Sequence, residues 1–339
     1  MAVDIYPRIQ EGLDKKRQNL TEFLESAPEA EKEICLCKEE QGLHTHLHVI
    51  EESLEKIEDQ TLGLCVVCQG YVDPIRLEVD YTAHVCLDHY SEEERRRLEA
   101  ELELSQIVQR ALLPQQIPDI LGVELAAFHR PSEIIGGDYF DFFRYRDGTH
   151  GLVIADVSGH GVSAAMLMSS LQTALRTIAP ESDSPAEILE RINRFYIHNI
   201  NFTTFVTVFL ARFDPANLIL TYVNAGHNPP AIRRKGYSEI TWLRPTAPAI
   251  GLVEEFHPRT ESVGFSKGDS LLLYTDGVTE VLNASNNEFG SERLAEVLLQ
   301  KDGLTAVDTL QLIRQGVNAF GNNRPLADDV TMIALKVSE

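Results

Sequence analysis

The sequence predicts an α+β protein. Its larger part is expected to be an antiparallel β-sandwich flanked by helices, preceded by an α-helical hairpin and a small Cys- and His-bearing module. Three observations carry that expectation. From about residue 120 onward, β-branched and aromatic runs that end in turn residues alternate with helical stretches. Before residue 60, two amphipathic stripes are separated by a break. Between residues 63 and 90, Cys and His occur in two short pairs among glycines and a proline.

Composition bounds what such a chain can do. Its 339 residues, 43% hydrophobic, suit two or three domains with real cores. With 30 Lys and Arg against 52 Asp and Glu, the formal charge is −22. Such a field repels phosphodiester backbones and anionic bilayers, so neither nucleic acid nor membrane is expected as a direct partner. No run reaches the ~18 apolar residues of a spanning helix. The opening MAVDIYPRIQEGLDKK has no apolar core of a secretory signal, so the expected compartment is the cytoplasm. Five Cys in a reducing compartment point to metal or redox chemistry before disulfides.

The elements follow in order. Leu13, Leu20, Phe23 and Leu24 make the first helical stripe, Ala27-Pro28 interrupts it, and Leu47, Ile50, Leu54 and Ile57 make the second. Together they predict a short antiparallel hairpin. Gly63, Gly70 and Pro74 punctuate the Cys-bearing stretch. Ser91 and Glu94 form a capping box that opens a helix running to Pro114. Beyond it, strands are expected at 151–156, 203–214, 218–226, 270–277 and 328–337, and helices at 161–179, 185–200, 290–301 and 304–320. The resulting division is 1–90, a connector at 91–113 with the capacity to dimerise, and 114–339.

Cys65-Val-Val-Cys68 and Cys86-Leu-Asp-His89, 17 residues apart, have the spacing of two metal knuckles. Four such ligands suit one tetrahedral, closed, structural Zn2+ and leave no position for a catalytic water. Residues 43–97, with Arg76-Leu77-Glu78 in place and a helix on each side, resemble the C-terminal part of the DksA/TraR zinc-finger proteins. That resemblance extends to the hairpin at 8–60. It raises the alternative of an RNA-polymerase-binding transcription regulator with an enzyme-like body. The bend SAPEAEKEICLCKEE (26–40) lacks that family's spaced aspartates. Cys35 and Cys37, with His44, His46 and His48, are a second set of ligand-type residues, for which an exposed bend with chance histidines is the simpler reading.

Four motifs stand out in the larger part: Gly136-Gly137-Asp138-Tyr-Phe-Asp141, Ala155-Asp156-Val157-Ser158-Gly159-His160-Gly161, Tyr274-Thr275-Asp276-Gly277 and Ala327-Asp328-Asp329-Val330. Each sets an Asp at the end of an apolar strand. One Asp-Gly pair is ordinary turn chemistry. Four such strand ends, if they converge, would repel one another unless they bound divalent cations. All-oxygen ligands select Mg2+ or Mn2+, and a pair of such ions activates water for in-line phosphoryl displacement.

Residues 100–338 resemble the SpoIIE/RsbU-type branch of the PPM metal-dependent serine/threonine phosphatases. The match runs through QRALLPQQIP, FHRPSEIIGGDYFDFF, LVIADVSGHGVSAAMLMS, TFVTVFLARFD, YVNAGHNPP, LLLYTDGVTE and ADDVTMIAL. The resemblance implies that Asp156 bridges two Mn2+ or Mg2+ ions and that the Val157 carbonyl completes one of them. It implies further that Asp276 and Asp328 ligate the other and that Asp138 contacts the metals directly or through water. Asp141 and Asp329 are left out of the ligand set; His160 is a weaker candidate for acid chemistry that reads equally as a loop residue, and His227 reads as part of a structural turn. The phosphate-gripping Arg of eukaryotic relatives has no counterpart beside Asp138; Arg130 is the nearest. The implied function is a phosphoserine/phosphothreonine protein phosphatase, with a phosphorylated STAS-type anti-sigma-factor antagonist as substrate in a partner-switching pathway. The connector is expected to dimerise, and the zinc module to receive an upstream regulator.

Overall fold

The computed structural model describes residues 40–199 and 205–338, apart from 74, 75, 78–80, 87, 88, 90, 160, 323, 325 and 327. It also describes residues 6, 7, 9, 10, 12–14, 17, 18 and 21; the side chains of 40–46 and 199 are not included. The chain divides into two compact units, Met1–Ala100 and Glu101–Glu339.

In the first unit, the described residues before 22 are helical and helix α1 spans Glu40–Glu58. The predicted stripe is its buried face: Ile50 and Leu54 pack with Ile9, Leu13, Leu62, Val72 and Leu77. Their burial holds together a unit with little other regular structure. The break at 26–39, with Cys35 and Cys37, lies outside the described residues, as do Leu20, Phe23, Leu24 and the side chains of His44 and His46. His48 is exposed and lies 3.9 Å from Glu52. Helix α2, Glu92–Leu112, begins at the predicted box. The Ser91 hydroxyl accepts from the Glu94 amide at 3.2 Å, and the Glu94 carboxylate accepts from the Ser91 amide at 2.8 Å. The division into units falls inside this helix.

The second unit has four layers. Strands β1 (Val123–Arg130), β2 (Tyr139–Arg144), β3 (His150–Val157), β4 (Val206–Asp214), β5 (Ile219–Ala225), β6 (Ala231–Arg233), β7 (Ile240–Trp242), β8 (Glu261–Gly264), β9 (Ser270–Tyr274) and β10 (Val330–Val337) form two antiparallel sheets. Their orders are β1-β10-β9-β6-β7 and β2-β3-β4-β5-β8. Helices α3 (Gly161–Ile178) and α4 (Pro185–Asn199) cover the second sheet, and α5 (Gly290–Leu299) and α6 (Ala306–Phe320) cover the first.

The period-2 rule explains why the long strands are apolar on both faces. In β9, Leu271 and Leu273 point into the inter-sheet core, whereas Leu272 and Tyr274 point toward α5 and α6. In β10, Ile333, Leu335 and Val337 point inward, and Met332 and Ala334 outward. Strands β4, β5, β9 and β10 fall within the expected runs, and β3 extends the expected 151–156 by one residue at each end. Strand β9 stops at Tyr274, and Asp276–Val278 form a 3-10 turn instead. Strands β1, β2, β6, β7 and β8 are additions to the sequence reading. No helix among the described residues is long and apolar enough to cross a membrane.

Candidate active site

Register brings the carboxylates together. Tyr139 of β2 pairs with Ala155 of β3, so one step further along the ladder Asp138 faces Asp156. On the other sheet, β9 and β10 are antiparallel, with Met332 opposite Tyr274, so Asp276 and Asp328 leave the sheet at the same end. Two hydroxyls tie the sheets there. Thr275 donates to Asp138 Oδ2 at 2.8 Å, and Thr331 donates to the same oxygen at 2.5 Å.

Burial and neighbouring charge act on these groups together. Asp138 is only 2% exposed, and burial followed by repulsion from Asp156 raises its carboxyl well above the usual range. Asp156 is pushed up to about 7 by burial and by Asp276, Asp328, Asp329 and Glu280. Asp276 rises to about 6 through burial, Asp328 and Glu280. Three carboxylates made hard to ionise by burial and by acidic neighbours are oxygen donors of the kind that suit a divalent cation. The Val157 carbonyl faces the same corner, since a Cβ placed on Gly137 would lie 3.0 Å from it.

The acidic neighbours have other work. Asp141 accepts two bonds from Arg176, both at 2.6 Å, one from the Tyr139 hydroxyl at 2.7 Å and one from the Phe142 amide at 2.7 Å. Its oxygens are thereby committed to α3 and to its own strand. Asp329 accepts from the Ser132 amide at 2.7 Å and hydroxyl at 3.1 Å, and from the Gly137 amide at 2.8 Å. It clamps the Gly136-Gly137-Asp138 loop against the start of β10. Gly136 and Gly277 both press on Asp329: a Cβ at the first would run into its carboxylate, and at the second into its carbonyl.

Sequence reasoning missed several supporting groups. Thr275 and Thr331 sit inside the quoted motifs, but nothing in the sequence says that both reach Asp138. Gln109 of α2 is buried, donates to the Gly136 carbonyl at 2.6 Å and accepts from the Gly136 amide at 3.2 Å. Gln106, one turn earlier, donates to the Ile134 carbonyl at 2.8 Å. Glu280 adds another carboxylate that Asp156 and Asp276 both sense.

His160 lies outside the described residues. His227 is buried, and burial lowers it to about 3, so it is neutral; its Nδ1 lies 2.9 Å from the Thr207 hydroxyl. Arg130 ends β1 opposite Val330 and lines a groove with Arg314, Val278 and Val330.

In the first unit, one ligand atom from each of Cys65, Cys68, Cys86 and His89 lies within 4.8 Å of the others. The Cys68 and Cys86 sulfurs are 4.0 Å apart. A tetrahedral ion with bonds of ~2.3 Å sets sulfurs ~3.8 Å apart, so the residues fit zinc. The Cys86 amide donates to Cys65 Sγ and the Gly70 amide to Cys68 Sγ, each at 3.4 Å. Burial opposes ionisation of Cys65, but the amides of Cys68 and Cys86 outweigh it and bring the thiol to about 6. Burial and the neighbouring Cys65 and Cys68 push Cys86 up to about 11. A bound cation would remove that conflict.

Two facing antiparallel sheets with helix pairs outside and carboxylates at one end define a PP2C-like α+β domain. The SiaA-PP2C domain of Pseudomonas aeruginosa superposes with a TM-score of 0.63 at 22% identity, covering 72% of this chain and 98% of that one. The RsbU and RsbW domains of a Mycobacterium tuberculosis protein give 0.56 at 26% identity, covering 67% and 63%. The family described as Stage II sporulation protein E (SpoIIE) matches residues 146–338, more than half of the chain, and the chain belongs to that family. Among curated relatives, Protein IcfG of Synechocystis sp. is 29% identical over 264 residues, 69% of this chain and 41% of that protein. Phosphoserine phosphatase RsbU of Bacillus subtilis is 27% identical over 186 residues, 55% of each. The chain spans about half the length of the curated relatives it matches.

Proposed function

We propose that the chain is a metal-dependent phosphoserine/phosphothreonine protein phosphatase whose substrate is a phosphorylated STAS-type anti-sigma-factor antagonist. The observation that carries this is the set of mutually destabilised aspartates from opposite sheets, in a chain of the SpoIIE family. Asp156, Asp276, Asp328 and Asp138 would hold the ions, and the Val157 carbonyl would supply a backbone oxygen. Mn2+ or Mg2+ bound there would neutralise these charges, lower the pKa of water and withdraw charge from a phosphoryl group. The chain's own task is to hold its oxygens ready. Both hydroxyls on Asp138 reach Oδ2 and neither takes Oδ1, while Asp329 fixes the loop that presents it. No covalent nucleophile is required. The phosphoserine phosphatase RsbU supports the reaction class. The STAS substrate rests on the family resemblance.

In this reading residues 1–90 form a DksA/TraR-like regulatory input with one structural Zn2+, 91–113 the connector and 114–339 the phosphatase. Leu104, Ile107 and Val108 are exposed on α2 at helical spacing, which supports pairing with a second copy through the connector. The expected compartment is the cytoplasm.

The test is hydrolysis of p-nitrophenyl phosphate and of a phosphoserine STAS protein by the full chain with Mn2+. Turnover that needs Mn2+ and is lost in Asp156→Asn and Asp276→Asn is expected. Turnover that survives both substitutions, or none with either substrate, refutes the two-metal phosphatase. RNA polymerase retained by the chain regardless of Asp156→Asn would favour the transcription-regulator alternative.

A further inference from the structure

A short relay runs behind the acidic cluster, and no step of the proposed reaction uses its far end. His129 lies in β1 and pairs with Thr331 of β10 in the sheet register. Its Nδ1 is 2.9 Å from Thr331 Oγ1, and that hydroxyl in turn donates to Asp138 Oδ2 at 2.5 Å. The Thr275 hydroxyl donates to the same carboxylate oxygen and accepts from the Thr331 amide at 3.0 Å. Thr331 has one hydroxyl proton. Given to Asp138, it leaves Thr331 Oγ1 only as an acceptor toward the ring, so Nδ1 must carry the N–H. The ring is itself placed: it is half-buried, with its centroid 6.0 Å from that of Phe140.

We infer that His129 is a positioning residue for the cation site, acting through Thr331 to aim the hydroxyl proton at Asp138 Oδ2 and so keep Oδ1 available as a ligand. A threonine hydroxyl rotates about one bond, and a donor behind it settles its proton toward Asp138; in the other ring tautomer Nδ1 would itself accept that proton. Second-layer donors that fix a ligand's orientation contribute roughly 10- to 100-fold to metal affinity. The inference rests on the two-metal reading of the aspartates but concerns a residue that touches neither metal nor substrate.

The experiment measures Mn2+ affinity of the full chain by electron paramagnetic resonance, independently of turnover, for a double-mutant cycle. His129→Ala and Thr331→Val should each weaken Mn2+ binding about 10-fold, and the pair together no more than the weaker-binding single variant. His129→Asn, whose amide can donate from nearly the place of Nδ1, should stay within about 3-fold of the wild type. A residue that merely fills space would show the reverse: losses that add in the double variant and no rescue by the smaller Asn. Wild-type binding with His129→Ala unchanged, or additive losses, overturns the relay and leaves the two-metal reading standing. A wild type that binds no Mn2+ at millimolar concentration overturns both.

Discussion

Replacing Asp156 by Asn should make the metal-free protein more stable while abolishing its chemistry. Asp156 sits among Asp276, Asp328, Asp329 and Glu280, and its carboxylate accepts no hydrogen bond among the described residues. Its carboxyl titrates near 3.8 in an unfolded chain and at about 7 in the fold. Between those pH values the unfolded chain has released a proton that the folded chain retains. Wild-type stability therefore falls as pH rises from about 4 to 7 and then levels off. Ionising the folded group against that difference costs about 4 kcal/mol, and water entering the open corner reduces this to ~2 kcal/mol. Asn has nothing to titrate and relieves its neighbours as well. Urea unfolding in EDTA, followed by the single tryptophan, reads the second unit, because Trp242 ends β7. At pH 8 the variant should exceed the wild type by ~2–4 kcal/mol, and the two should converge only below about pH 4. With saturating Mn2+ the order should reverse, since only the wild type gains binding energy. Equal stabilities at pH 8, or a gap that does not change with pH, would refute the claim that these aspartates are forced together.

Further outcomes follow from the same geometry. Gln109→Ala removes both bonds to Gly136, worth ~1 kcal/mol each, and should lower kcat for p-nitrophenyl phosphate about 10-fold with KM little changed. Arg176→Met leaves Asp141, 1% exposed, without its cation, and should destabilise the second unit by ~3 kcal/mol in thermal unfolding. Metal analysis should find one zinc per chain, lost in Cys65→Ser, with the Trp242 unfolding transition unmoved because the knuckles lie in the other unit.

What the sequence disclosed was whatever repeats over a few residues. Strands β3, β4, β5, β9 and β10 are continuous apolar runs because both faces are covered, so their pattern is loud. The VELAAFHR of β1 mixes polar with apolar residues, and β6, β7 and β8 are only three or four residues long. Their neighbours, more than their composition, make them strands. The aspartates were legible because each stands at the end of an apolar run with a glycine or a second aspartate within three residues. Their supports were not. Thr275 and Thr331 serve an aspartate 137 and 193 residues away, and Gln109 serves a glycine 27 residues on. No local periodicity encodes such a pairing. The bridge from Arg176 to Asp141 is hidden for the same reason.

Asp328 and Asp329 are chemically identical neighbours placed in opposite circumstances. The first is exposed at the mouth of the acidic corner; the second is 5% exposed and pinned by Ser132 and Gly137, with Gly136 and Gly277 allowing its approach. Their genetics should therefore separate cleanly. Under the proposed phosphatase reading, lesions at position 328 would give a folded, abundant and inert protein, able to compete with the intact one for a substrate. Lesions at 329 would release two loops at once and remove the protein from the cell through misfolding. One dipeptide thus offers both a dominant-negative allele and a null.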